Sequence, residues 1–428
     1  MKKSKSLLDI IIEGTEDIFY IWKREMIKCF KDQGVLIFFI LVPLGYPMLY
    51  AFIYNEEVVH KVPVVAVDED HSFLSREFIR KVGASPDVQI VGYSNDMTDA
   101  EQAMKEHKAY GILRIPSDFS KKINNINFWE QAHVQAYCDM GSMFYYKSLY
   151  SACTDVSLEM NRKIKIQRMG NTTTNREEEV STYPIEYSNV ALFNPQSGYA
   201  CFLIPAVLML ILQQTLVFGM GLSAGTAVET NRFRNLVPIN RHYNGTIRIV
   251  FGKALCYLMI YMLTATWVLL VVPHLFSLNQ LDHPATLSLF SLAYLLSCIF
   301  FAMTVSVFVR NREKPMILFA FFSVPMLFLS GISWPGSGIP VFWKYVSYLF
   351  PSTFGINGFV RINNLSADLA DVKFEYHALW LQTGIYFVTT CFVYRGQILM
   401  SRLRTIKKHR EMKAKLAKES LAGDGDVQ

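Results

Sequence analysis

Residues 34–54 read GVLIFFILVPLGYPMLYAFIY, an uncharged apolar run of span length. A helix needs about 20 such residues to cross roughly 30 Å of hydrocarbon. A polar tract follows over 55–196. From Ser197 onward further apolar stretches dominate, at about 197–222, 253–273, 285–309, 315–333 and 376–394. This one-plus-five order predicts an α-helical polytopic membrane protein with six transmembrane helices. An extracytoplasmic α/β domain is inserted between the first span and the second.

Composition agrees with a membrane chain. The 428 residues are 51% hydrophobic, and the mean hydropathy of +0.21 is high for a soluble protein. The span interiors hold no Asp, Glu, Lys or Arg except at their ends, as at Lys253. A charge at a helix centre costs at least about 2.5–3.5 kcal/mol and usually marks an ion route, so its absence argues against an ion-coupled pump. The first thirty residues carry Lys2, Lys3, Lys5, Asp9, Glu13, Lys23, Arg24 and Glu25. They lack the apolar stretch of a signal peptide, so the first span is expected to stay in the membrane as an anchor.

Basic residues set the expected orientation, because they collect on the cytoplasmic side of short loops. Lys23, Arg24, Lys28 and Lys31 precede the first span. Arg232, Arg234, Arg241 and Arg248 lie between the second and third, Arg310, Arg312 and Lys314 between the fourth and fifth, and Arg402 to Lys418 in the tail. Both termini are therefore placed inside and 55–196 outside. The net charge of +6 reads as a topology signal, not a nucleic-acid signal, and the tail is also suited to touch anionic membrane lipid. The seven cysteines show no metal-like or redox spacing. Cys138 and Cys153, in the external tract, fit buried thiols better than a disulfide.

The expected organisation runs as follows. Residues 1–33 form a cytoplasmic segment, with an interfacial helix over 15–31 on the spacing of Ile18, Ile21, Trp22, Glu25 and Cys29, and 34–54 is the first span. Within 55–196, strands are expected at Val62–Val67, Val88–Val91, Tyr110–Ile115 and His133–Cys138. Helices follow from Ser72 to about Val82, from Thr98 to His107, and from about Ser142 to Met169. Residues 197–400 hold spans two to six, with a cytoplasmic loop at 223–250. An outer region of short amphipathic or re-entrant helices is expected at 333–375, rich in Gly, Pro and aromatics. Residues 401–428 are a basic cytoplasmic tail.

No phosphate-binding loop is present: Gly252-Lys253 is followed by Ala254 and lacks the upstream glycine. No nucleophile elbow, zinc-protease motif or Cys/His cluster appears. An intramembrane enzyme would need polar catalytic groups within the spans, and none stand out. A membrane-anchored envelope sensor or scaffold is the alternative class, but one anchoring span would serve it and five more argue against it.

A resemblance then becomes specific. Arg24-Glu25 lies just ahead of a first span containing Pro43 and Pro47. The external tract opens Val64-Val65-Ala66-Val67-Asp68-Glu69-Asp70-His71-Ser72, with Ser75-Arg76 beyond. It continues Gly111-Ile112-Leu113-Arg114-Ile115-Pro116-Ser117-Asp118-Phe119-Ser120. Near the end come Leu349-Phe350-Pro351-Ser352-Thr353 and Gly358-Phe359-Val360-Arg361. In this order, over nearly the whole chain, these segments resemble the ABC-2-type transporter permease family, in the branch with a large extracytoplasmic insert.

The resemblance implies an exporter half in a bacterial inner membrane, moving an amphipathic, drug-like or lipid-like substrate out of the cytoplasm or inner leaflet. Two permeases pair, as identical copies or with a paralogue. Separate cytoplasmic ATPase subunits bind ATP and Mg, so no cofactor is expected in this chain. A periplasmic adaptor and an outer-membrane channel are further partners compatible with the family. Coupling is implied through Arg24, Glu25, Glu229, Arg232 and Arg234. Glu229 matches the family's acidic position and Leu236-Val237-Pro238 resembles the end of its coupling helix. Arg232-Phe233-Arg234 departs from the pattern, and a solvated loop face is the plain alternative for these residues. Spans two and five face the partner permease in the family, which implies a substrate path along Met209, Gln213, Gln214, Phe218, Met326 and Phe328. Gln213 and Gln214 serve either helix packing or the route. Trp334, Pro335, Pro351 and Phe354 are candidates for an outer gate.

Overall fold

The computed structural model describes residues 7–54, 59–124, 131–141, 143–169, 198–230, 236, 241–243, 245–278, 284–309, 311–334 and 336–423. The chain divides into two compact units, one formed by 1–55 with 198–428 and the other by 56–197. The first unit begins with α1 (Leu7–Lys31) and α2 (Gln33–Ile53). Asp32 separates them; its side chain accepts the Gly34 N–H at 3.0 Å and caps α2. Helix α2 widens to a π turn at Ile37–Leu41, just before Pro43. A proline removes the N–H that would bond the carbonyl four residues earlier. That carbonyl, on Phe39, lies 3.5 Å from the Thr264 hydroxyl, whose nearer acceptor is the Ile260 carbonyl at 3.0 Å.

The second unit is α/β. It runs β1 (Val62–Asp68), α3 (Phe73–Ala84), β2 (Val88–Ser94), α4 (Met97–Lys105), β3 (Gly111–Ile115), α5 (Phe119–Asn124), β4 (Gln135–Cys138) and α6 (Met143–Met169). The sheet order is β2-β1-β3-β4, parallel except for the antiparallel β4. Side chains alternate across a strand. Val62, Val64 and Ala66 therefore pack with Phe78 and Leu149 on one face, and Val65 and Val67 with Ala100 and Ile112 on the other. Ser72 caps α3 by accepting the Ser75 N–H at 3.1 Å. The acidic run after β1 fastens loops: Asp68 accepts the Ser75 hydroxyl at 2.9 Å, and Asp70 accepts the Ser120 hydroxyl at 2.9 Å. Cys138 and Cys153 are free thiols.

The first unit resumes with α7 (Tyr199–Thr230), α8 (Thr246–Leu275), α9 (Pro284–Ser306), α10 (Lys314–Leu329), α11 (Val341–Ser347), α12 (Pro351–Leu365) and α13 (Lys373–Gly423). Among the described residues, α2, α7, α8 and α9 are long and apolar enough to cross a membrane. The other two stretches differ from that standard for separate reasons. Residues 315–333 yield a helix of only 16 residues that stops at Ser330. Residues 376–394 form part of the 51-residue α13, where Gln382, Thr383, Thr389 and Thr390 dilute the apolar run. Helix α7 also continues through Thr230, so the first part of the stretch read as a loop at 223–250 is helical. Helix α12, from the glycine- and proline-rich region, packs among α7, α9 and α13. Gly355 makes this possible, because a Cβ there would fall 2.3 Å from the Tyr294 ring.

Candidate functional site

Polar side chains gather where α1 lies against α8. Among the described side chains of α1 the buried ones are Asp17, Ile21, Glu25 and Cys29, one every fourth position, which places them on a single helix face. Two of the four are acidic, and each meets a base on α8. Asp17 accepts Arg248 Nη1 at 2.6 Å, and its other oxygen lies 2.7 Å from His242 Nδ1. Glu25 Oε1 accepts Lys253 Nζ at 2.9 Å and the Tyr257 hydroxyl at 2.7 Å, while Lys28 Nζ stands 3.7 Å from Oε2. Burial alone would raise the Glu25 carboxyl, but Lys253, Lys28 and the hydroxyl outweigh it and hold it at about 2. Between the two ion pairs sits Gly252, where a Cβ would lie 2.9 Å from the Ile18 carbonyl oxygen. The seam is thus a close backbone contact bracketed by two acid–base ties. Arg24 lies over the Tyr243 ring at 5.8 Å.

A second node joins the ends of α1, α2 and α7 to the segment before α10. Asp32 Oδ1 accepts Arg312 Nη2 at 2.7 Å, and Oδ2 accepts the Thr226 hydroxyl at 2.8 Å. Glu229 Oε1 accepts the Arg312 backbone N–H at 2.9 Å. Its carboxylate therefore ties the end of α7 to the neighbouring loop. Lys28, Lys31, Asp32, Thr226, Thr230 and Arg312 line an open cavity of about 550 Å³ beside this node. Arg232 and Arg234 lie outside the described residues, as does Pro335.

Sequence reasoning missed Asp17, Asp32 and Lys253 as members of these nodes. One signal was present: Asp17 and Glu25 fall in phase with the apolar Ile21 and Cys29, so a purely solvated role would waste that face.

The residues assigned to a substrate path occupy different settings. Gln213 is 1% exposed. Its Oε1 accepts the Ser352 N–H at 2.6 Å, and its Nε2 points at Met326 Sδ at 3.6 Å. It thereby joins α7, α10 and α12 inside the helical unit. Gln214 is half-buried, with Nε2 unpartnered among the described residues. The Met209 carbonyl accepts the Tyr294 hydroxyl at 2.7 Å. Phe218 stacks on Phe38 at 5.0 Å, whereas Phe328 is exposed. Of the outer candidates, Trp334 is exposed, while Pro351 and Phe354 are buried at the start of α12.

Residues 34–392 match the family model described as ABC-2 family transporter protein. No curated protein matches the chain.

Proposed function

Since the chain belongs to the ABC-2 family of transporter proteins, the multi-pass membrane component of ABC transporters that works with an ATPase partner, we propose that it is an exporter half. In this reading it moves an amphipathic, drug-like or lipid-like substrate out of the cytoplasm or inner leaflet of a bacterial inner membrane. A dimer of such chains, identical or paralogous, rocks between states as separate ATPase subunits bind and hydrolyse ATP. In the same reading the chain crosses the membrane six times and keeps both termini in the cytoplasm. The 56–197 unit faces the other side, where it gates the exit or docks an adaptor leading to an outer-membrane channel.

The observation that carries this reading is the pair of polar nodes at one end of the helical unit. Lys28, Lys31, Arg248, Lys253 and Arg312 all lie there, and a concentration of basic residues supports a cytoplasmic location. The acidic partners Asp17, Glu25, Asp32 and Glu229 bind these elements to one another. A partner pressing on α1 or on the end of α7 would load several helices together.

The test begins with purification of the tagged chain from its host. An ATPase should co-purify, and vesicles containing both should move a fluorescent lipid or dye analogue only with ATP. Asp32→Ala releases Arg312 and Thr226, and should lower transport at least about fivefold with insertion unchanged, the effect of roughly 1 kcal/mol of lost coupling. A chain that brings no ATPase, together with unaltered efflux of dyes, drugs and lipids after gene deletion, would overturn the exporter reading.

A further inference from the structure

A groove of about 560 Å³ runs between the N-terminus of α8 and the middle of α13, reaching the α1–α8 seam only at Arg248. Its floor and walls are Phe387, Val388 and Phe392 from α13 and Ile247 from α8; its polar end carries Arg248 and Arg395. Phe392 is 70% exposed, and Val388 and Ile247 are also open. This apolar wall is continuous with the outward face formed by Phe251, Leu381 and Ile385. Apolar side chains left open on a membrane-spanning unit face acyl chains, so the lower part of the groove already has its solvent.

The polar end has a different chemistry. Arg395 closes the apolar stretch 376–394, and Arg248 precedes the stretch 253–273. Each guanidinium group therefore stands where an apolar stretch of its helix ends, at headgroup level. Arg248 is engaged with Asp17, so it adds positive charge to this end while Arg395 is the group that reaches the phosphate. Among the described residues no carboxylate lies within ion-pair distance of Arg395. Helix α8 starts at the same place: Gly245 is its extended N-cap, and no side chain closes the cap. The first amides of a long helix attract an anion, and guanidinium groups add planar recognition of phosphate oxygens. One site thus offers a cationic end that fits a phosphodiester and an apolar trough that fits hydrocarbon.

We propose that this groove binds an anionic phospholipid, with its phosphate held by Arg395 and the start of α8, and its chains along Val388 and Phe392. Basic pockets between transmembrane helices are suited to such headgroups. The bound lipid bridges α8 and α13, two helices otherwise distant in sequence, and so favours the arrangement in which they lie together. Its assignment to the cytoplasmic leaflet rests on the orientation proposed above; the binding itself does not.

The test uses the full chain purified in a mild detergent. Retained lipid is counted by native mass spectrometry, and thermal unfolding is followed with added phosphatidylglycerol, phosphatidylcholine or inorganic phosphate. Phosphatidylglycerol should be retained and should raise the melting temperature, while phosphatidylcholine and phosphate should do neither. Arg395→Gln should weaken phosphatidylglycerol retention about fivefold, the effect of one lost basic contact, and Arg395→Lys should recover part of it. Val388→Trp, which fills the trough without touching charge, should also reduce retention. Unchanged retention in both Arg395→Gln and Val388→Trp overturns the proposal. So does equal stabilisation by inorganic phosphate, which would mean a simple anion site. Normal phosphatidylglycerol retention by a chain that moves no dye or lipid with ATP would count against the exporter reading alone.

Discussion

Replacing Glu25 with Gln tests the seam between α1 and α8 most directly. At 2.9 Å the Glu25–Lys253 attraction is worth about 6 kcal/mol at an effective dielectric near 20. Burying two ions costs several kcal/mol each, so the intact pair contributes little net stability, whereas losing one member strands the other and costs about 3–5 kcal/mol. The carboxyl itself gives a second route to the number. Its drop from an ordinary 4.5 to about 2 corresponds to roughly 3 kcal/mol. Because the folded-state value is depressed, this contribution is complete above pH 4.5 and is lost as the pH falls from there towards about 2. Glu25→Gln should therefore destabilise the chain by about 3 kcal/mol at neutral pH and remove that part of the acid sensitivity. Denaturation by SDS in mixed micelles, repeated across pH, measures both. The double variant Glu25→Met with Lys253→Met, made in a Tyr257→Phe background, should recover to within about 1 kcal/mol of that background, since neither charge is then orphaned. Costs below about 1 kcal/mol for each single change, or strictly additive costs in the double, would refute the reasoning.

Gln213→Leu should cost about 1–3 kcal/mol by the same unfolding measurement, because the buried Ser352 N–H loses its acceptor. If the amide served mainly to line a route, transport would suffer with stability intact. Ser72→Ala removes the cap of α3 and should cost about 1 kcal/mol. Hydrogen exchange should then quicken in the first turn of α3 and remain unaltered along the α1–α8 seam.

Local pattern made some of this architecture readable. Val62 to Val67 combine β-branching with flanking polar residues, and the strand is observed at Val62–Asp68. Ser72 announced a helix start because its hydroxyl acts within one turn. The unbroken 34–54 run coincides closely with α2. Pairing across the fold was not readable. Glu25 and Lys253 stand 228 positions apart, and nothing near either residue reports the other. Gly252-Lys253 could be read only as a failed phosphate loop until α1 was seen against it. There the glycine admits the α1 backbone and the lysine neutralises a buried acid. The extent of α1, back to Leu7, also escaped a reading that began the helix at 15. Composition gives little warning that a charged leader is helical when its support comes from packing.

The seam limits how α1 can move. Its two acid–base ties bracket Gly252, the position that admits the α1 backbone. Sliding α1 by one helical turn, about 5.4 Å, would separate both pairs at once and press the Ile18–Ile21 turn against side chains larger than glycine. The cost of such a slip is of the order of two stranded buried charges, well above the 1–3 kcal/mol typical of allosteric coupling. Smaller rotations that keep the pairs intact remain accessible. A push on α1 is therefore passed to α8 as a rigid displacement, and motion must be absorbed elsewhere. The π turns lie at Ile37–Leu41 in α2, the helix that follows α1, and at Trp267–Val271 further along α8, each ahead of a proline. Those are the places where the helical hydrogen-bond ladder is already relaxed, and where bending costs least.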